Sequence, residues 1–96
     1  MQQQKRPIAN PELVLREEFD DWAVLFDPDT GDGFGMNPVG VFIWKLLDGL
    51  HTEADIAAAV KGAYENVPED ADLHVKEFIE DLVQRGFVGY EVQVGV

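Results

Sequence analysis

The apolar pattern of this 96-residue chain changes from strand to helix period at Asn37-Pro38. Upstream, apolar residues fall in short extended runs with the alternation of strands; downstream they recur every three or four residues, as on a helix. Leu13-Val14-Leu15-Arg16 and Trp22 to Phe26 have strand composition, and Trp22, Val24 and Phe26 share one face while Ala23 and Leu25 share the other. Phe19-Asp20-Asp21 reads as a hairpin turn between them, and Asp27 to Gly33 is dense enough in turn residues to reverse the chain. Phe34-Gly35-Met36 is then a short third strand.

Asn37 can cap a helix and Pro38 suits the first helical position, where a missing N–H costs nothing. Val39, Ile43, Leu46, Leu47 and Leu50 form the apolar stripe of that first helix, which stops at Asp48-Gly49. Thr52-Glu53-Ala54-Asp55 has the form of a capping box and opens a second helix ending before Pro68. Ala71, Val75, Phe78, Ile79, Leu82 and Val83 make a third helix, closed by Gly86, whose apolar arc of about 140° is wider than a minimal stripe. Phe87 to Glu91 is a last extended piece. The fold class is α+β: a three-stranded antiparallel sheet followed by a three-helix bundle.

The length suits one domain. Residues 1–10 are expected to be a frayed arm, 11–91 the folded domain and 92–96 a tail. Without Cys there is no disulfide framework, thiolate metal site or thiol catalysis, which fits a cytoplasmic setting. No apolar run reaches the ~18 residues of a membrane span. With 19 acidic against 7 basic residues and a net charge of −12, phosphate-rich partners are disfavoured.

No catalytic constellation emerges. Asp27, Asp29 and Asp32 miss the calcium-loop spacing, because the twelfth position from Asp27 is Pro38 instead of Glu. His51 and His74 lack metal-ligand spacing and read as surface residues. Gly31 to Gly35 is glycine-rich but has no phosphate-binding Lys after it. Trp22 and Trp44 read as packing residues. No catalytic residue, cofactor or metal is expected, and the chain does not read as an enzyme.

Two features point to binding instead. The third strand is short and glycine-containing, and a three-stranded sheet leaves two edges with unpaired main-chain groups. Such an edge accepts an extended peptide as an extra strand, or pairs two copies of the chain as a homodimer. The third helix has apolar arc to spare for one wall of a peptide groove.

The run from Phe34 to Gly49, Phe-Gly-Met-Asn-Pro-Val-Gly-Val-Phe-Ile-Trp-Lys-Leu-Leu-Asp-Gly, resembles the central signature of the PqqD-like family, the coenzyme PQQ synthesis protein D family. Thr52 to Ile56 continues the match, and Tyr64 to Ala71 and Val75 to Phe87 are similar to the family's C-terminal half. The resemblance covers residues 11–90; Val39 departs from it, where many relatives carry Thr or Ser. It implies a winged-helix-like peptide recognition element that binds the leader of a ribosomally made precursor peptide. The leader is then presented to a modifying enzyme, commonly a radical SAM protein with a SPASM domain, in the biosynthesis of PQQ or a related product. It also implies that the leader adds a strand beside Gly33, Phe34, Gly35 and Met36 and packs against the third helix. Lys76, Ile79 and Val83 are the preferred helix contacts, since a Lys beside apolar residues can hold a leader carboxylate; His74 and Phe78 form the other flank. The alternative of a DNA-binding winged helix meets a third helix with Lys76 and Arg85 against Glu69, Asp70, Asp72, Glu77, Glu80 and Asp81, which would be repelled from a groove.

Overall fold

The computed structural model describes residues 5–91; the expected tail at 92–96 lies outside the described residues. Eight elements follow one another: strands β1 (Arg6–Ala9), β2 (Val14–Glu17), β3 (Ala23–Phe26) and β4 (Gly33–Met36), helices α1 (Pro38–Lys45), α2 (Glu53–Ala63) and α3 (Ala71–Gln84), and strand β5 (Val88–Glu91). The change of period at Asn37-Pro38 is the strand-to-helix boundary. β2, β3 and β4 form an antiparallel sheet in that order. The mixed α+β architecture read from the sequence is therefore present, together with a second sheet of two strands, β1 and β5.

That second sheet corrects the expectation of a frayed arm at residues 6–9. β1 pairs antiparallel with β5, Pro7 opposite Tyr90. Its other edge is also bonded: the Ala9 N–H donates to the Leu47 carbonyl (2.8 Å) and the Gly49 N–H to the Pro7 carbonyl (3.0 Å). Pro7 is fully buried. Alternation of bonding along β1 turns residue 7 toward Leu47–Gly49, where only its carbonyl is used, so the missing proline N–H interrupts nothing.

The caps form as their sequences require. The Asn37 side chain accepts the Gly40 N–H at 2.8 Å. Thr52 and Asp55 make the reciprocal capping box, Thr52 N–H to Asp55 Oδ2 at 3.0 Å and Asp55 N–H to Thr52 Oγ1 at 3.1 Å. α3 ends at Gly86, whose φ of 81° an L-residue rarely adopts. There the Phe87 N–H reaches the Leu82 carbonyl and the Gly86 N–H the Val83 carbonyl, which satisfies two orphan carbonyls of the last turn. α1 is shorter than its stripe predicts: Leu46 already caps it, and Leu50 is 73% exposed.

Between the sheet and the helices lies one core, with Leu25 and Met36 from the sheet, Ile43 and Trp44 from α1, Ile56 and Val60 from α2, and Val75, Ile79 and Leu82 from α3. Each fully buried aliphatic there contributes about 1.5–3 kcal/mol. Ala23, Leu25 and Met36 are buried, so the even residues of β4 and the odd residues of β3 face the core. Trp44 packs as expected. Trp22 does not: it is 51% exposed, on the opposite face of the sheet with Val24 and Phe26.

Candidate functional site

β4 is the outer strand of the three-stranded sheet. Which of its main-chain groups are free follows from parity. The Asp27 N–H donates to the Asp32 carbonyl at 2.9 Å, one step before the β3–β4 register of Phe26 opposite Gly33. Bonded and non-bonded pairs alternate in an antiparallel ladder, so Leu25–Phe34 and Ala23–Met36 are also bonded pairs. On the far side of β3, the Glu18 N–H donates to the Trp22 carbonyl, which assigns Trp22, Val24 and Phe26 to β2 and agrees with this parity. Phe34 and Met36 therefore spend their N–H and C=O groups on β3. Those of Gly33 and Gly35 point away from the sheet, as does the N–H of Asn37, whose carbonyl accepts from Val41 at 3.0 Å. Among the described residues no backbone hydrogen bond reaches that edge.

Beside the edge runs an open groove of about 480 Å³. Phe34, Gly35 and Met36 form one side, Val39, Gly40 and Ile43 of α1 the floor, and His74, Val75 and Phe78 of α3 the opposite wall. Tyr64, Glu65, Val67 and Pro68, from the α2–α3 connection, shape one end. Phe34 also meets Phe87 edge to face, centroids 5.9 Å apart, and the Arg85 guanidinium lies 4.7 Å above the Phe34 ring. Gly40 lets the wall come close: a Cβ there would sit 3.3 Å from Phe78 Cζ. The groove lining is mostly apolar, with Glu65 its carboxylate, and two ion pairs involve neighbouring α3 residues. Asp70 Oδ2 lies 3.2 Å from His74 Nε2. Asp81 Oδ2 accepts from Arg85 Nε at 3.1 Å.

The expected contacts divide. Gly33, Phe34, Gly35 and Met36 are at the edge as anticipated, with the parity now resolved. On α3 the preferred residues lie away from the groove. Ile79 is fully buried in the core, and Val83 packs partly buried against it. Lys76 sits with Glu53, Ala57, Lys61 and Asp72 on the side where α3 meets α2. There the Glu53 carboxyl is pushed up by burial and by Glu80, and Lys76 pulls it back. The wall facing β4 is the other flank, His74 and Phe78. Helical periodicity placed both flanks beside the buried stripe but could not say which one β4 adopts. Tyr64 and Pro68 were not anticipated as lining residues; a glycine inside the apolar first helix, Gly40, was the available sign of a close neighbour.

The acidic turn and the His51 pair singled out in the sequence make local contacts outside the groove. Asp27 Oδ1 accepts the Asp29 N–H at 2.9 Å, a local turn bond. His51 Nδ1 and Asp48 Oδ1 lie 2.9 Å apart on the surface. Among the described residues no three His, Asp or Glu side chains converge as metal ligands. No described helix is long and apolar enough to cross a membrane.

The comparisons agree with this architecture. The family model of coenzyme PQQ synthesis protein D matches residues 23–88, and the chain belongs to the PqqD family. No curated protein matches the sequence. Among solved structures it is similar to lasso peptide synthetase B1 complexed with the leader peptide, 24% identical, TM-score 0.72, over 88% of this chain and 98% of that one. It is also similar to TbiB1 in complex with the TbiA(beta) leader peptide, 24% identical, TM-score 0.69, over 92% and 99%. The heterocyclase TruD contains a similar unit, 14% identical with TM-score 0.65, covering 96% of this chain and 12% of that one. At these identities the three likenesses establish the fold.

Proposed function

We propose that the protein is a non-catalytic carrier that binds the leader segment of a ribosomally made precursor peptide as an added strand on β4. The observation that carries this reading is an open strand edge that lies along a groove instead of facing bulk solvent. Main-chain bonds to Gly33, Gly35 and the Asn37 N–H supply affinity that is indifferent to sequence. Alternate guest side chains point into the groove between Phe34 and Phe78, where apolar residues are preferred and register is set. Two of the similar folds were solved with leader peptides, which supports the same use here. The proposed recipient is a modifying enzyme, a radical SAM protein with a SPASM domain, in the biosynthesis of PQQ or another modified peptide. The three helices with the β1–β5 ribbon fit a winged-helix-like description, and a cytoplasmic location fits a cargo made on ribosomes.

The test is an amide titration of the isotope-labelled protein with synthetic candidate leader peptides. Large shifts and slowed hydrogen exchange are expected at Gly33, Gly35 and Asn37, with smaller changes at Phe34 and Met36, already bonded to β3. Tight binding that leaves those three amides unchanged would refute strand addition at β4.

A further inference from the structure

Strand addition has two faces, and the groove accounts for only one. The parity that turns the Gly33 and Gly35 main chain outward also puts their missing side chains on the solvent face of the sheet. Cross-strand neighbours lie on the same face, so the row through Gly35 is Arg16, Val24, Gly35, and the row through Gly33 is Val14, Phe26, Gly33. Trp22 stands at the corner, 51% exposed, and Val14 is 48% exposed. A Cβ on Gly35 would meet nothing within 4 Å. A Cβ on Gly33 would meet Val24 Cγ1 at 3.3 Å, so the Val24 side chain leans diagonally over β4 at Gly33 and leaves the space above Gly35 open. The result is an apolar shelf of Trp22, Val24 and Phe26 ending at two bare backbone positions, continuous with the edge a guest strand would occupy.

We propose that this shelf is a second specificity site, which selects an aromatic residue on the solvent-facing side of the guest strand, directly opposite Gly35. The inference rests on strand addition at β4 and adds a requirement to it. A guest residue opposite Gly35 forms a bonded pair with it and points its side chain to the glycine face. Its Cα lies two strand spacings, about 9.6 Å, from that of Val24. A Phe, Tyr or Trp ring laid across the bare Gly35 backbone reaches the overhanging Val24 side chain; an Ala does not. The ring would cover Gly35 from water, the cross-strand compensation that edge glycines need. The guest strand would then carry apolar residues at both parities, which separates it from strands recognised by a groove alone.

The test selects nine-residue peptides from a fully randomised displayed library against the full chain, then measures each selected peptide in forms with Phe, Trp or Ala at the position opposite Gly35. That position is located by nuclear Overhauser contacts to the Gly35 amide. The aromatic forms are expected to bind about five- to tenfold more tightly than the Ala form, with contacts from ring protons to the Val24 methyls. The aromatic-to-Ala ratio should fall toward one in Val24→Ala, which removes the overhang, and in Gly35→Val, which fills the space. Because the ratio is taken within each variant, a general change in affinity cancels, and either variant suffices if the other does not fold. A ratio near one in the unaltered protein, with Gly33 and Gly35 amides shifting on binding, would overturn this inference and leave strand addition standing. An undiminished ratio in a folded variant would overturn it as well. Selected peptides that bind without shifting those amides would remove strand addition itself.

Discussion

Gly35→Pro separates the edge from the fold. The Gly35 N–H points away from β3, so removing it breaks no bond of the ladder, and Pro is tolerated on an edge strand in that orientation. A Cβ at this position meets nothing within 4 Å. The lower entropy of the unfolded chain would offset part of any strain by about 0.4–1 kcal/mol, so the melting temperature should move by less than about 5 °C. Peptide binding should suffer much more. One main-chain bond worth about 0.5–1.5 kcal/mol net is lost, and the guest carbonyl that would accept it is left facing a ring carbon. Together these amount to about 2–3 kcal/mol, a 30- to 150-fold rise in Kd. The assay is calorimetric titration with the leader, beside thermal denaturation followed by circular dichroism. Phe34→Pro is the counterpart: it removes an N–H bonded to β3 and a half-buried ring packed on Phe87, and should cost the fold about 2–4 kcal/mol. Unchanged affinity in Gly35→Pro would refute strand addition here. Unfolding as severe as in Phe34→Pro would show the parity assignment to be wrong.

Phe78→Ala removes the groove wall opposite Met36 and should weaken leader binding about tenfold, with less loss of stability than a core truncation such as Leu25→Ala, read by titration and denaturation together. Asn37→Ala loses the cap on Gly40 and should cost about 1 kcal/mol in urea denaturation. Deleting residues 1–9 should destabilise the domain by about 2–4 kcal/mol, because Pro7 is buried and β5 loses its partner; a melting temperature within 2 °C of the full chain would contradict the β1–β5 pairing. Acid should weaken the start of α2. The Thr52 backbone N–H holds the Asp55 carboxyl below its ordinary value. A depressed carboxylate lends stability above its unfolded pKa that disappears as pH falls through the folded one. Asp55→Ala should therefore melt earlier than the unaltered protein at pH 7, and the gap should close below about pH 4.

The helices and the three-stranded sheet were legible because their signals are local. Asn37-Pro38, the Thr52–Asp55 box and Gly86 each act within one turn of chain, and the structure uses all three as written. β1 was hidden because its partners are distant: Pro7 and Pro11 look like punctuation until β5 and Leu47–Gly49 are seen on either side. The open edge could be named from Gly33 and Gly35, but the direction of their N–H groups depends on register, which no single strand encodes. The flank of α3 that borders the groove was hidden for a related reason. Ile79 and Phe78 are both apolar neighbours on one helix, and only the placement of β4 and α1 makes the first a core residue and the second a wall.

A strand that must stay available cannot carry the usual guards against sticking to its own kind, such as a blocking proline, a bulge or a lysine aimed along the edge. β4 has none of these. What separates neighbouring molecules is the excess of twelve negative charges over the whole chain, a long-range deterrent that salt removes. Concentrated samples at high ionic strength are where two copies of this protein would pair edge to edge through β4, and a purification buffer low in salt opposes that pairing.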